Sequence, residues 1–241
     1  MIREPFFEIG PKTYVYGEDA MKIALAAEEA SVKYGVDVIF SAQYTDIYRI
    51  AQRTSHLHIF AQHMDSLYAG RGIGAVLPEA LKEAGAEGVL LNHEEKQLTL
   101  AELSRCIERA REAGLISVVC AGSEKEACAA ACLSPDIIIA ESPLLIGGGE
   151  RSEEDAKLIR RINEKVRSID PKIKVLHGAG IHDEKDVYNV ILSGADATGS
   201  TSGIMKAEDP CEMTGKMIEA VAKAWSERTG EAGGGTDNGI S

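Results

Sequence analysis

Eight short apolar runs, each followed by a longer amphipathic segment, limit the folds open to this chain more than any other feature. The runs are rich in Val and Ile, which is typical of parallel strands buried on both faces. They lie at Phe6–Ile9, Val36–Ser41, Leu57–Ala61, Gly88–Leu91, Ile116–Ala121, Asp136–Ala140, Lys174–His177 and Ala195–Gly199. Such an alternation favours a parallel sheet covered by helices.

The segments after the runs have helical periodicity, and several carry start and stop signals. Thr99 followed by Glu102 is a capping-box pattern, and Pro78 occupies a favourable first helical position. Gly85 and Gly114 follow two helix ends. The predicted helices are Ala20–Tyr34, Asp46–Arg53, Pro78–Ala84, Ala101–Ala113, Glu124–Leu133, Glu153–Ser168, Glu184–Ser193 and Cys211–Arg228.

Eight strand–helix units predict an α/β protein with a closed (β/α)₈ barrel, formed as a single domain over residues 1–228. A doubly wound open sheet is the alternative, because periodicity alone does not show closure. Residues 229–241 contain three consecutive glycines and no apolar pattern, so we expect a disordered tail there.

Charge and cysteine usage narrow the classes of function. With 26 Lys plus Arg against 38 Asp plus Glu, the net charge of −12 argues against non-specific binding to nucleic acid or anionic membranes. No stretch resembles a membrane span or a signal peptide, so we expect a cytoplasmic protein. The five cysteines match no disulfide framework, and no ligand cluster has metal-site spacing. We therefore expect no metal and no organic cofactor.

Three polar residues that follow predicted strands form a chemically coherent set: Lys12, His93 and Glu141. In such barrels the carboxyl ends of the strands carry the active site. A carboxylate can remove a proton next to a carbonyl group, while a neutral imidazole and an ammonium stabilise the developing oxyanion. Turns rich in glycine and hydroxyl groups after the last three strands can present N–H groups to phosphate. The pattern predicts proton transfer on a phosphorylated carbonyl compound.

Several stretches resemble the triosephosphate isomerase family in its shorter, archaeal form. The resemblance covers about residues 6 to 222. Its most specific segments are LLNHEE at 90–95 and ESPLLIGGG at 141–149, and it extends to AQHMDS at 61–66, LHGAGI at 176–181 and SGIMKAEDP at 202–210.

The resemblance implies an aldose–ketose isomerase that interconverts glyceraldehyde 3-phosphate and dihydroxyacetone phosphate through an enediolate. It makes His93 the electrophile, Glu141 the catalytic base, and Lys12 the group that holds substrate and is oriented by Glu95. Residues 143–149 correspond to the family's mobile lid. The backbone amides that bind phosphate correspond to Ile146, Gly147, Gly180, Thr201 and Ser202. By resemblance, the loop Ala69–Gly74 mediates subunit contacts in a homodimer or homotetramer.

The chain departs from the family pattern at four places that we expect to lie around the pocket. Gly10 stands where the family's first-strand motif has Asn, and Glu94 stands where Ser is usual. His177 ends the seventh strand, and the sequence leaves open whether it faces the pocket or the barrel core. Residues 199–202 make the end of the eighth strand small and polar. These changes leave open a paralogue that acts on a four- or five-carbon sugar phosphate. A non-catalytic barrel that binds a phosphorylated ligand is a further alternative.

Overall fold

The eight predicted strands form a closed parallel barrel in the computed structural model, which describes residues 2–141 and 153–230. Each strand pairs with the next along the chain, and β1 pairs with β8 to complete the ring. The strands are β1 Phe6–Ile9, β2 Asp37–Ala42, β3 Leu57–Ala61, β4 Gly88–Leu91, β5 Ile116–Ala121, β6 Ile137–Ala140, β7 Lys174–His177 and β8 Ala197–Ser200. The predicted closed barrel is confirmed, and the open-sheet alternative is wrong.

The helices surround the barrel and start close to the predicted positions. They are α1 Gly17–Tyr34, α2 Tyr44–Ala51, α3 Pro78–Glu83, α4 Leu100–Glu112, α5 Glu124–Ala131, α6 Glu153–Ile169, α7 Glu184–Leu192, α8 Ser202–Met205 and α9 Pro210–Thr229. The predicted cap of α4 is present, because the Thr99 hydroxyl accepts from the Glu102 backbone N–H at 3.2 Å. Two short elements, α8 and a 3₁₀ turn at Glu94–Lys96, were not predicted because they are too short to show a period.

Helix α9 continues through Thr229, one residue beyond the end of the predicted domain. Gly230 follows it in the left-handed conformation, with a φ of 72°, which is the usual glycine stop of a helix. Residues 231–241, for which the sequence predicts a disordered tail, lie outside the described residues.

Alternate residues of each strand fill the barrel with apolar side chains. Phe6, Ile39 and Phe60 belong to this inner cluster and are almost completely buried. Gly88 makes room for it, because a β-carbon there would lie 2.4 Å from the Phe60 ring. A larger cluster fills the space between the strands and the helices. The inner packing closes the lower part of the barrel, so only the carboxyl ends of the strands can carry an open site.

Candidate active site

A cavity of about 610 Å³ opens at the carboxyl ends of the strands. Lys12, His93 and Glu141 all line it, although they are far apart in the sequence. A groove of similar volume lies on the outer surface between α7 and α9, away from every strand end. The barrel cavity is the candidate active site, because of the two it is the one that gathers the three predicted residues.

Lys12 is held by its backbone and by its side chain. Its φ is 47°, in the left-handed region that non-glycine residues rarely adopt. The Gln62 side-chain amide donates to the Lys12 carbonyl and to the Ser41 carbonyl, each at 3.0 Å. The Lys12 ammonium Nζ lies 3.1 Å from Glu95 Oε1. The structure therefore places Glu95 where it can orient Lys12, and backbone strain at a residue fixed in this way is typical of functional sites.

His93 begins the 3₁₀ turn and uses one ring nitrogen to stabilise it. The backbone N–H of Glu95 donates to His93 Nδ1 at 3.1 Å. A nitrogen that accepts a hydrogen bond carries no proton, so this contact assigns the proton of a neutral ring to Nε2. Asn92 supports the turn, because its side chain donates to the Cys120 carbonyl and accepts from the Leu98 N–H. The ring can thus offer an Nε2–H donor to a substrate oxygen.

Glu141 follows β6 directly, and its backbone N–H donates to the Ala121 carbonyl at 2.9 Å. Burial raises the pKa of its carboxyl group, while His93 and Lys12 oppose the rise and Glu94 and Glu95 add to it. Burial disfavours the charged form of a carboxyl group. A raised pKa makes the ionised carboxylate a stronger base, which suits removal of a proton from carbon.

Three of the predicted phosphate-binding residues reach the same cavity. Gly180, Thr201 and Ser202 line it from the loops after β7 and β8. Those loops are packed together, because a β-carbon on Gly203 would lie 2.7 Å from the His182 carbonyl oxygen. The other two predicted residues, Ile146 and Gly147, and the predicted lid 143–149 lie outside the described residues.

The departures from the family pattern do not all reach the cavity. Glu94 and Gly199 line it, and Glu94 is exposed at the rim. His177 does not, because its Nε2 lies 2.8 Å from Asn163 Oδ1 on α6, in the buried space between strand and helix. The sequence leaves open whether His177 faces the pocket or the barrel core, and the structure places its side chain against α6 instead. The residue ends a strand whose side chains alternate, and Leu176 takes the inward place next to it.

Sequence reasoning missed Glu8, a buried carboxyl group at the floor of the cavity. The Ser41 hydroxyl donates to Glu8 Oε1 at 2.6 Å. Burial raises the pKa of Glu8 to about 7, against the opposing effects of the Ser41 hydrogen bond and Lys12, and Glu141 adds to the rise. A signal was present: in a strand, residues two apart share a face, so Glu8 lies on the same side as Gly10.

No cluster of His, Cys, Asp and Glu in residues 2–141 and 153–230 could hold a metal ion. Within the same ranges, no helix is both long enough and apolar enough to cross a membrane.

A parallel barrel that gathers a carboxylate, an imidazole and an ammonium at its carboxyl ends defines an enzyme class that moves protons on carbonyl compounds. Comparison with known proteins gives the particular family. A family model described as triosephosphate isomerase matches residues 10–220. The chain therefore belongs to the triosephosphate isomerase family, and it is an aldose–ketose isomerase of that type.

Curated relatives agree over nearly their full length. The triosephosphate isomerase of Methanosarcina barkeri is 41% identical over 209 residues, covering 86% of this chain and 94% of the relative. The enzyme of the same name from Sulfurisphaera tokodaii is 38% identical over 226 residues, covering 92% and 98%. The crystal structure of triosephosphate isomerase from Bartonella henselae has the same fold, with a TM-score of 0.76 at 18% identity over 90% of this chain and 98% of that one.

Proposed function

We propose that this isomerase interconverts glyceraldehyde 3-phosphate and dihydroxyacetone phosphate. The observation that carries the proposal is the convergence of Lys12, His93 and Glu141 on one cavity, with the Nε2–H of His93 left as a donor. The relatives support the same substrate pair by their name.

The proposed mechanism moves one proton between neighbouring carbons. The Glu141 carboxylate takes a proton from the carbon next to the carbonyl group, and an enediolate forms. The His93 Nε2–H donates to the oxygen that gains charge and relays a proton between the two neighbouring oxygens, while the Lys12 ammonium stabilises the negative charge. The proton held on the Glu141 carboxyl group exchanges with solvent, and Glu141 then delivers a proton to the other carbon, so the enzyme ends the cycle unchanged.

The phosphate group, in this proposal, lies against the loops after β7 and β8. Gly180, Thr201 and Ser202 would supply backbone N–H groups, as the family resemblance implies, and the same resemblance adds Ile146 and Gly147. Backbone N–H groups are well suited to this role, because they bring no extra charge into a site already rich in carboxylates.

The comparisons do not favour the alternatives. The names of relatives 38% to 41% identical favour a triose phosphate over a four- or five-carbon sugar phosphate as the substrate. A non-catalytic barrel would have no reason to keep a base, an imidazole and an ammonium directed at one cavity.

We also propose that the chain assembles as a homodimer or homotetramer through the loop Ala69–Gly74. Ile73 at its tip is an apolar residue that is completely exposed in the single chain. The base of the loop is rigid, because the buried Arg109 guanidinium stacks 3.9 Å from the Tyr68 ring centroid and donates to the Leu67 carbonyl. A rigid loop with an apolar tip is suited to insertion into a neighbouring subunit.

We also propose that the protein is cytoplasmic, because its five free cysteines suit a reducing compartment.

A coupled assay on both triose phosphates tests the proposed function. Wild-type protein should turn over either substrate, and Glu141→Gln should lower kcat about 1000-fold, because general-base catalysis contributes on the order of 10²–10⁴. Glu29→Gln, an exposed carboxyl-to-amide change on α1, is the matched control and should leave kcat unchanged. Turnover by Glu141→Gln at the wild-type rate would contradict the assignment of the base.

A further inference from the structure

Glu8 occupies a place where the interior of the barrel meets the catalytic cavity. The residue is 8% exposed and lines the cavity together with Lys12 and Glu141. An ionised carboxylate buried without a full set of partners costs several kcal/mol. Glu8 therefore destabilises the fold when it is ionised, and it does so less when its carboxyl group is neutral or is bound to a ligand.

Two glycines make the space that the Glu8 side chain fills. A β-carbon on Gly10 would lie 3.0 Å from Glu8 Oε1. A β-carbon on Gly199, the register partner of Glu8 on β8, would lie 3.0 Å from Oε2 and 2.7 Å from the Glu8 backbone oxygen. The Gly199 contact with the backbone is closer than a side chain tolerates, and the Gly10 contact would make Oε1 move by a few tenths of an ångström. Gly10 and Gly199 are far apart in the sequence, yet Gly10 accommodates the Glu8 carboxyl group and Gly199 accommodates both the backbone and the carboxyl group of Glu8.

The hydrogen bonds of Glu8 leave one oxygen available to a ligand. The Ser41 hydroxyl donates to Oε1 at 2.6 Å. Within residues 2–141 and 153–230, the carboxyl group has no second hydrogen-bond partner. The neutral acid can therefore accept from Ser41 at Oε1 and carry its proton on Oε2, as a donor at the cavity floor.

The charged and titratable groups around Glu8 are consistent with a neutral acid. Burial is the largest influence and raises its pKa to about 7; Glu141 adds to the rise, while Lys12 and the Ser41 hydrogen bond oppose it. Cys120 on β5 also faces this group, and its own pKa is raised, mainly by burial, so the thiol stays neutral. Lys12 is thus the cation among these groups.

We propose that Glu8 contacts the substrate as a neutral carboxylic acid whose Oε2–H donates a hydrogen bond to an oxygen of the bound sugar phosphate beside Lys12. The assignment rests on the proposed isomerase function. A neutral donor fits this place, because Glu141 must be ionised to act as a base and the substrate brings a phosphate. A negative charge on Glu8 would oppose both the ionisation of Glu141 and the binding of the phosphate.

Steady-state kinetics on glyceraldehyde 3-phosphate between about pH 5.5 and pH 9 test the contact with three variants. Wild-type kcat/KM should fall above about pH 7 as Glu8 ionises, in line with its pKa. Glu8→Gln keeps a neutral donor at every pH, so it should retain kcat/KM within about threefold near pH 6 and lack that fall. Glu8→Ala removes the donor and should lose about 100-fold in kcat/KM, the scale of one lost oxyanion donor.

Ser41→Ala separates a substrate contact from a structural role. The Ser41 hydrogen bond favours the ionised form of Glu8, so its loss should move the fall in kcat/KM to higher pH. This small change also keeps the test informative if Glu8→Ala fails to fold, which circular dichroism would show.

Matching pH profiles for wild type, Glu8→Gln and Ser41→Ala would overturn the assignment while the isomerase function stands. Wild-type protein that turns over neither triose phosphate would instead refute the proposed function, and the contact with it.

Discussion

Replacing Glu8 by Gln should change how the stability of the fold depends on pH. The variant keeps the shape of the side chain and removes its titration. In the wild-type chain the pKa of this carboxyl group rises from an ordinary value of 4.5 to about 7 on folding. The folded state therefore binds the proton more tightly than the unfolded state does.

The sign and size of the effect follow from that difference. A carboxyl group with a raised pKa stabilises the fold while it is protonated, and this contribution is lost as pH rises from 4.5 through about 7. The whole change is about 3 kcal/mol, at about 1.4 kcal/mol for each pH unit between the two values. About 2 kcal/mol of it falls between about pH 5.5 and about pH 8.

Urea unfolding followed by circular dichroism measures the effect at these two pH values. Wild-type protein should lose about 2 kcal/mol more unfolding free energy than Glu8→Gln over the interval. Glu29→Gln, which removes an exposed carboxylate, should follow the wild type. If the unfolding free energies of wild type and Glu8→Gln depend on pH in the same way, the reasoning is refuted, because Glu8 would then have the same pKa in the folded and unfolded states.

Two further predictions concern other parts of the molecule. The pKa of His58 is raised, chiefly by its hydrogen bond to Glu87 at 2.8 Å, so its contribution to stability is present below its ordinary value of 6.5 and lost as pH rises through the folded value. Thermal melts should therefore show that His58→Asn destabilises the fold more at pH 5.5 than at pH 8.5, and an equal loss at both would contradict the assignment. Ile73→Asp should reduce the mass measured by light scattering to that of a single chain of 25.8 kDa, whereas an unchanged assembly would exclude this loop as the contact.

The fold could be predicted because its signals are local and repeated. Each strand is a short apolar run, and each helix of more than two turns shows its own period, so both can be read without knowing their partners. Closure of the barrel could not be read this way, since it depends on the pairing of β1 with β8 across almost the whole chain. The helix α8 is a single turn and shows no period.

The residues that follow strand ends could be predicted to share a site, because parallel strands bring their carboxyl ends to one face. Lys12, His93 and Glu141 lie in the cavity on that account. Glu8 was not predicted, because it lies within an apolar strand, whose neighbouring residues indicate burial and not a site. The direction of His177 could not be predicted from the sequence. The alternation along β7 directs it to Asn163 and directs Leu176 inward.

The most direct test of the central claim follows hydrogen exchange during turnover. Dihydroxyacetone phosphate is incubated with the enzyme in D₂O, and the carbon-bound hydrogens are observed by proton NMR. Proton transfer through Glu141 and an enediolate predicts deuterium on the carbon that receives the proton, with wild type and Glu29→Gln alike and with the rate lost in Glu141→Gln. Conversion to glyceraldehyde 3-phosphate with all carbon-bound hydrogen retained would contradict the account, because a proton held on the Glu141 carboxyl group should be replaced at least in part by deuterium from the solvent.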